Sequence, residues 1–293
     1  PSPRFIRSES IGFRTVRLLN PRDMNPFGDP INRPAPKPPE FYKPFTDEEF
    51  KLYSRNFEVG YKDLNAKTLY IDESHSVWTK ERIQIDVGYN NEKMDILIFR
   101  PKKSFNKVQS VLLYPGANYY RTPPNIDDVS PGEYGLDFII KSGRALIWPA
   151  YKGSMNRITD MNISFPSTPD HFRLFRQLLS NWTVDTSRTI DYLQSREDFD
   201  SNGIFYVGMS YGGLFTPHVL LFENRFKAAI LYVGGAYTNI PPMSDGKNHL
   251  PRLDIPILML NGKQDYLVPA AAPTAMFASI GTPEDDKRLA FYD

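Results

Sequence analysis

The stretch Gly208-Met209-Ser210-Tyr211-Gly212 follows the apolar run Ile204-Phe205-Tyr206-Val207 and precedes a helical pattern. A short buried strand that leads through G-x-S-x-G into a helix is the context of a nucleophilic serine. The glycines are needed because the serine sits on a sharp, strained turn that bulky neighbours would obstruct. The turn also places the backbone N–H of Tyr211 at the positive end of the helix, facing an oxyanion. We therefore predict Ser210 as a nucleophile; the alternative is a glycine-rich turn of a sheet protein that only binds.

Composition excludes several other classes of protein. Of 293 residues, 35 are lysine or arginine and 34 are acidic, so no net charge favours nucleic acid or an anionic membrane as a partner. No apolar run approaches the ~20 residues of a membrane-spanning helix. The absence of cysteine excludes disulfides, zinc–thiolate sites and a cysteine nucleophile. No metal or organic cofactor is implied, since the sequence has no glycine-rich phosphate loop or cluster of His and Asp ligands.

The first 45 residues differ from the rest of the chain. They are dense in proline, with Pro34-Ala35-Pro36-Lys37-Pro38-Pro39 at the centre of that region. Proline cannot occupy helix or sheet interiors, so residues 1–45 are predicted to run extended or to act as an interdomain linker. One domain is predicted over residues 46–293, beginning with a helix that Thr46 caps. The missing initial methionine and signal segment predict a removed leader or a piece of a longer polypeptide.

Apolar patterns from residue 80 onward predict a mostly parallel sheet. Two alternating stretches, Arg82–Val87 and Met94–Phe99, indicate an antiparallel start. Later apolar runs do not alternate and are separated by helical patterns, which indicates strands covered on both faces by helices. The predicted fold class is therefore α/β, with the order of elements of an α/β-hydrolase fold. The later strands are Val111–Tyr114, Ala145–Trp148, Ile204–Val207, Ala228–Val233, Ile257–Leu260 and Lys287–Tyr292, and the helices are Tyr134–Lys141, Phe172–Arg196, Tyr211–Glu223 and Ala270–Ser279.

An acyl-transfer site also needs a base for the serine and an acid that orients this base. In this fold the three residues follow in the order serine, acid, histidine. Asp265 comes shortly after the apolar run Ile257–Leu260, at the carboxyl end of a strand, where α/β sheets carry their chemistry. We predict that Asp265 is the acid and that it faces one cleft with Ser210 from the ends of adjacent strands. The alternative is an aspartate of a surface loop.

A second oxyanion donor is expected in the loop after the first central strand. The sequence Tyr114-Pro115-Gly116-Ala117-Asn118 occupies this place. Gly116 allows the backbone to approach a substrate closely. We predict the backbone N–H of Ala117 as the donor, with Asn118 as its neighbour. The alternative is an ordinary turn at the end of a strand.

No histidine stands at the expected position of the base, which is the loop after the last strand. The four histidines all precede the predicted acid: His75, His171, His218 and His249. His218 lies within or beside the helix after the serine, which is typical of a packing or surface residue. His171 and His249 lie in long segments that are predicted to overhang the site, and either of them as the base remains an alternative. The main prediction places the histidine beyond Asp293.

Five stretches resemble those of known α/β-hydrolases: Val111–Asn118, Asp185–Leu193, Gly208–Gly213, Phe226–Gly235 and Pro256–Pro269. From about residue 40 onward the chain resembles acetyl-xylan-esterase-like and prolyl-oligopeptidase-like enzymes, which are related to dienelactone hydrolases. It looks closest to hydrolase domains fused to bacterial serine/threonine protein kinases. In such families a Gly-Gly-His follows a last strand that ends like Tyr292-Asp293. The resemblance therefore implies a catalytic histidine a few residues beyond Asp293.

The opening segment carries a second resemblance. Ser10–Arg17 is similar to the closing segment of formylglycine-generating-enzyme-like domains, although a plain β-strand is the alternative. The resemblance implies a multidomain protein, in which a kinase or other domain is covalently linked upstream.

The predicted function is hydrolysis of small-molecule carboxylic esters through an acyl-enzyme. Ser210 attacks the ester carbonyl, the Tyr211 and Ala117 amides bind the oxyanion, and Asp265 orients the histidine. Two alternatives remain, namely a peptidase of prolyl-oligopeptidase type and a non-catalytic hydrolase-fold module that binds partners. Five aromatic residues are candidates for the wall of an acyl or sugar-ester pocket, or else for the core: Tyr119, Tyr120, Trp148, Tyr151 and Phe165.

Overall fold

A nine-stranded mixed sheet organises the part of the chain that the computed structural model describes, which comprises residues 45–57, 63–103, 107–159, 169–235 and 248–293. The order across the sheet is β1-β2-β3-β5-β4-β6-β7-β8-β9, in which β1, β2, β3 and β5 pair antiparallel and all later pairs are parallel. The predicted fold class is thus confirmed. The strands are β1 (Lys67–Asp72), β2 (Trp78–Asp86), β3 (Lys93–Pro101), β4 (Val108–Tyr114), β5 (Ala145–Pro149), β6 (Phe199–Met209), β7 (Ala229–Tyr232), β8 (Ile257–Gly262) and β9 (Lys287–Tyr292).

The helices lie on both faces of this sheet. Crossovers between parallel strands are right-handed, so the direction of each step across the sheet decides the face of the connecting helix. The step from β4 to β5 runs toward β3, whereas all later steps run toward β9. The helix α3 therefore lies on one face, and α4, α5 and α6 lie on the other. In the described residues the α-helices are α1 (Asp47–Ser54), α2 (Asn118–Arg121), α3 (Asp137–Lys141), α4 (Pro169–Gln194), α5 (Tyr211–Phe222) and α6 (Ala271–Ser279).

The central strands are buried on both faces, as their unbroken apolar runs predict. Leu97 on β3, Leu112 on β4 and Ile147 on β5 have no exposed surface. Burying such a side chain contributes about 1.5–3 kcal/mol each to folding. By contrast, β2 alternates, and Ile83 and Ile85 point into the core while their neighbours are half-buried.

The aromatic residues predicted as candidates for a pocket wall are core residues where the structure describes them. Tyr119, Tyr120, Trp148 and Tyr151 are at most 7% exposed. Their rings pack against one another and against Trp182 of α4, with Tyr119 and Trp148 centroids 4.9 Å apart. The remaining candidate, Phe165, lies outside the described residues. For these four side chains the pocket interpretation is wrong, because the rings fill space between the sheet and its helices.

The helix predicted after Thr46 is present as α1. The Thr46 hydroxyl accepts a hydrogen bond from the Glu49 N–H, and the Glu49 carboxylate accepts one from the Thr46 N–H, at 3.2 and 2.8 Å. This reciprocal pair is a capping box, which satisfies N–H groups that have no partner in the helix. The predictions for residues 1–44, including the linker and the segment Ser10–Arg17, lie outside the described residues. No helix in the described ranges is both long and apolar enough to cross a membrane.

One predicted helix, over residues 134–141, is divided in the structure. A 3-10 turn covers Pro131–Tyr134, and α3 begins only at Asp137. Gly135 separates the two elements with a φ of 64°, a left-handed conformation that glycine adopts without strain. The division leaves Tyr134 at the end of a short turn and not inside a helix.

Candidate active site

Ser210 stands between β6 and α5 in a strained conformation. Its φ of 51° and ψ of −98° are rare for a residue with a side chain, and such backbone strain costs on the order of 1–3 kcal/mol. Two hydrogen bonds fix the residue. Its N–H donates to the Tyr232 carbonyl of β7 at 2.8 Å, and its carbonyl accepts from the Leu214 N–H at 2.9 Å. The side chain is thereby held at the carboxyl edge of the sheet.

The glycines around this turn are required by close backbone packing. A Cβ at Gly208 would lie 2.5 Å from the Gly212 carbonyl oxygen, and one at Gly212 would lie 2.4 Å from the Tyr114 carbonyl oxygen. A Cβ at Gly213 would lie 2.7 Å from the Gly234 Cα. Contacts this short do not occur, so any side chain here would push α5 away from β4 and β7.

The loop after β4 lies beside the serine. A Cβ built on Gly116 would be 3.8 Å from the Ser210 Cβ, so the backbone of this loop runs directly past the side chain. Ala117 immediately precedes α2, and Tyr211 is the first residue of α5. Backbone N–H groups at such positions have no acceptor inside their own helix. The two predicted oxyanion donors thus belong to the two segments that flank Ser210.

Tyr134 contacts the same loop from the 3-10 turn. Its hydroxyl accepts a hydrogen bond from the Gly116 N–H at 3.1 Å and donates one to the Asn118 Oδ1 at 2.8 Å. The sequence alone does not indicate a role for this residue. The available signal was the Ser-x-x-Glu pattern at residues 130–133, which predicts a turn but not what the following tyrosine touches.

Asp265 lies in the loop after β8 and is half-buried. Its Oδ1 accepts hydrogen bonds from the N–H groups of Leu267 and Val268, at 2.8 and 2.9 Å, which orient the carboxylate. The predicted placement on a strand adjacent to that of Ser210 is wrong, because β7 lies between β6 and β8. Both strands are parallel, so both residues still leave the carboxyl edge, from strands roughly 10 Å apart.

The last strand ends at the same edge of the sheet. β9 pairs in parallel with β8, and Tyr292 lies opposite Gly262. The Lys263 N–H donates to the Tyr292 carbonyl at 2.8 Å. Because Asp265 follows Gly262 by three residues, the end of β9 lies beside the loop that carries the predicted acid.

Two of the histidines are buried in an aromatic cluster away from this edge. His218, on α5, has its Nε2 3.3 Å from the Tyr53 hydroxyl oxygen. His249 stacks on the Tyr53 ring, with centroids 5.2 Å apart, and neither of its ring nitrogens has a hydrogen-bond partner in the described structure. The interpretation of His218 as a packing residue is therefore confirmed. The cluster joins α1 to α5 and to the turn Leu250–Arg252.

In the described part of the chain, neither of the other two histidines is seen beside Ser210. His75 is exposed on the β1–β2 turn, where its Nδ1 accepts from the Val77 N–H at 3.1 Å. His171 is the third residue of α4, and its side chain lies outside the described part of the chain. Among the described hydrogen bonds, none joins a histidine to Ser210 or Asp265.

The free energy of unfolding is expected to fall as the pH drops below about 6.5. Burial lowers the pKa of His218 to about 3 and that of His249 to about 4, and the positive charge of Arg252 adds to the effect on His249. Both histidines are neutral in the folded protein, whereas the unfolded chain takes up protons near pH 6.5. The contribution of the two neutral histidines to the free energy of unfolding is therefore fully present above this pH. It decreases toward pH 4, by at most ~1.4 kcal/mol per pH unit for each histidine. Urea unfolding across this range measures the slope.

A matched pair of variants separates titration from packing. His249→Phe keeps a ring against Tyr53 but cannot be protonated, so it should flatten the dependence of unfolding free energy on pH. Phe222→Leu, in the same aromatic cluster, should lower the stability by a similar amount at every pH. Parallel curves for the wild type and His249→Phe would contradict this explanation.

Comparisons with known proteins show the family and the fold of the chain. Residues 141–293, just over half of the chain, match the dienelactone hydrolase family. Acetyl xylan esterase 1 from Thermoanaerobacterium sp. is similar in structure, with a TM-score of 0.64 and 14% identity over 86% of this chain and 90% of that one. Acetyl xylan esterase from Paenibacillus sp. R4 gives a TM-score of 0.63 and 17% identity over 86% of this chain and 91% of that one.

A third solved structure has the same fold. Glucuronoyl esterase from Solibacter usitatus gives a TM-score of 0.54 and 12% identity, over 85% of this chain and 88% of that one. No curated protein matches the sequence significantly. At these identities the structural similarities establish the α/β-hydrolase fold.

Proposed function

Because the chain belongs to the dienelactone hydrolase family, we propose that it hydrolyses carboxylic esters through an acyl-enzyme formed on Ser210. The family resemblance expected from the sequence is confirmed, whereas fusion to a kinase stays a prediction. Membership supports ester hydrolysis in general. The observation that carries the finer proposal is the strained turn at Ser210, held against the Gly116 loop at the carboxyl edge of the sheet.

The proposed reaction has two halves. The Ser210 Oγ attacks the ester carbonyl carbon while a base takes its proton, and the Tyr211 and Ala117 N–H groups bind the resulting oxyanion. The intermediate collapses by breaking the bond to the alcohol oxygen, which receives that proton. Water then repeats the attack on the acyl-enzyme and releases the acid. Each oxyanion donor contributes on the order of 3–4 kcal/mol, because it already points at the position where charge develops.

The base is proposed to be a histidine that follows Asp293. Two observations support this position. The end of β9 lies beside the loop of Asp265, and the strands of Ser210 and Asp265 are separated by roughly 10 Å, which leaves room for an imidazole with a hydrogen bond at each nitrogen. His171 is the remaining alternative, since its side chain is not described.

Asp265→Asn is expected to lower kcat on esters by a factor on the order of 10⁴. Asparagine keeps an oxygen that can accept from the Leu267 and Val268 N–H groups, so the loop should persist. The variant loses the negative charge that stabilises the imidazolium and selects its tautomer. Steady-state kinetics and urea unfolding of the same sample measure the two properties.

Asp254→Asn is the matched control for this experiment. Asp254 is exposed and precedes β8 at the opposite edge of the sheet, so its amide should leave kcat unchanged. A loss of activity in Asp265→Asn that follows a loss of stability, or equal effects of the two variants, would contradict the role of Asp265 as the acid.

The proposed reaction class is tested with two panels of substrates on the full-length protein. Short-chain nitrophenyl esters should be hydrolysed and peptide anilides should not. Preference for the anilides would favour the peptidase alternative. Lack of turnover in both panels would favour a non-catalytic module. A Ser210→Ala sample run beside the wild type corrects for hydrolysis by contaminants.

A further inference from the structure

The hydroxyl of Tyr134 bridges the two residues on either side of Ala117. It accepts from the Gly116 N–H at 3.1 Å and donates to the Asn118 Oδ1 at 2.8 Å. We propose that Tyr134 is a positioning residue, which fixes the loop so that the Ala117 N–H points at the oxyanion. This inference rests on the proposed ester hydrolysis at Ser210.

The bridge lies within reach of the reacting group. A Cβ built on Gly116 would be 3.3 Å from the Tyr134 hydroxyl oxygen and 3.8 Å from the Ser210 Cβ, so the tyrosine hydroxyl and the serine both lie beside this glycine. An oxyanion donor is effective only when it lies about 2.7–3.1 Å from the oxyanion. A small rotation of the peptides around Gly116 therefore changes the rate.

The hydrogen bond to Tyr134 also decides which N–H of the loop faces the substrate. The Gly116 N–H is directed to the phenolic oxygen. An N–H that is hydrogen-bonded inside the protein contributes less to an oxyanion than one that points into the site. The next N–H along the chain, that of Ala117, is left as the donor from this loop.

The Tyr134 ring has a rigid support. It stacks on Trp148, with centroids 5.7 Å apart and ring planes 23° apart, and it packs against Tyr119 at 5.6 Å. Trp148 is fully buried. The turn that carries Tyr134 is closed by Ser130 and Glu133, and the Glu133 carboxylate also accepts a hydrogen bond from the Tyr119 hydroxyl. The position of the Tyr134 hydroxyl is thus fixed by packing of its ring against the core and by the hydrogen bonds of its turn.

The hydroxyl acts through its geometry and not through proton transfer. Burial raises the pKa of Tyr134 to about 12, against the opposing effect of its hydrogen bonds to Gly116 and Asn118. It therefore stays protonated and donates to Asn118 throughout the neutral range. A positioning role predicts a change in kcat without a shift in the pH profile.

The test is Tyr134→Phe in the full-length protein, which removes the hydroxyl and keeps the ring on Trp148. We expect kcat on a nitrophenyl ester to fall about 10-fold, with KM within twofold and an unchanged pH profile. The rate at which a fluorophosphonate labels Ser210 should fall by a similar factor, since the phosphonyl oxygen uses the same donors. The double variant with Asn118→Ala should lose little more than Tyr134→Phe alone, because both changes break one bridge.

Tyr89→Phe is the control, since it removes another half-buried tyrosine hydroxyl, which donates to Asp185 at 2.8 Å and does not touch the loop. Its kcat should equal that of the wild type. A kcat for Tyr134→Phe within twofold of the wild type, or an equal loss in Tyr89→Phe, would overturn the positioning role and leave the proposed function intact. A wild type that neither hydrolyses esters nor labels at Ser210 would overturn both.

Discussion

Ser210→Ala is expected to lower kcat on carboxylic esters by a factor on the order of 10⁶. In the proposed mechanism the Oγ forms the covalent bond to the acyl group, and a methyl group cannot replace it. Binding and the oxyanion donors alone leave a residual ~10³–10⁴-fold catalysis over water. The loss should appear in kcat, measured with a nitrophenyl ester, while KM changes little.

Ser210→Gly serves as the matched variant for this change. It should be as inactive as Ser210→Ala but more stable to urea, because glycine adopts a φ of 51° without the strain that a Cβ causes. Activity of the alanine variant within tenfold of the wild type would contradict the covalent mechanism. Stability of the glycine variant below that of the alanine variant would contradict the assignment of strain to this turn.

The second large effect concerns the base. A polypeptide that ends at Asp293 is expected to be nearly inactive on esters, because a serine hydroxyl without a base stays protonated near neutral pH. A polypeptide that continues through the proposed histidine is expected to be active, with a kcat higher by a factor of up to about 10⁶. Kinetics of the two forms under identical conditions measure this difference.

Two substitutions in the longer polypeptide check the identity of the base. Alanine at the first histidine after Asp293 should abolish turnover, and His171→Ala should retain it. If the polypeptide that ends at Asp293 is fully active and His171→Ala abolishes this activity, the base is His171. The alternative would then replace the proposal, without changing the role of Ser210.

The strands were predictable from the sequence wherever burial produces unbroken or alternating apolar runs. This condition holds for β2 to β8, whereas β9 has only half-buried and exposed residues; the predicted bounds of β2 to β9 agree with the structure to within five residues. The condition fails for β1, where Leu69 and Ile71 are 38% and 56% exposed and the strand has no buried face. An edge strand of this kind is stabilised by its pairing with β2, which no local pattern shows.

The positions of Ser210 and Asp265 were predictable because each follows a strand directly or within a few residues. The distance between them was not predictable. The order of strands across a sheet depends on how the crossovers are placed in space, and the order of strands along the chain does not give it. The support from Tyr134 was also not predictable. Its hydroxyl contacts a residue 16 positions earlier in the chain. Tyr134 has this position because Gly135 divides what the sequence pattern predicts as one continuous helix.

The most direct test of the account is labelling of the full-length protein with a fluorophosphonate, followed by peptide mapping by mass spectrometry. We predict one adduct, on the peptide that contains Ser210, and no adduct in the Ser210→Ala variant. Labelling should stop when a short ester substrate is present at saturating concentration. An unlabelled protein, or an adduct on another residue that persists in Ser210→Ala, would contradict the central claim.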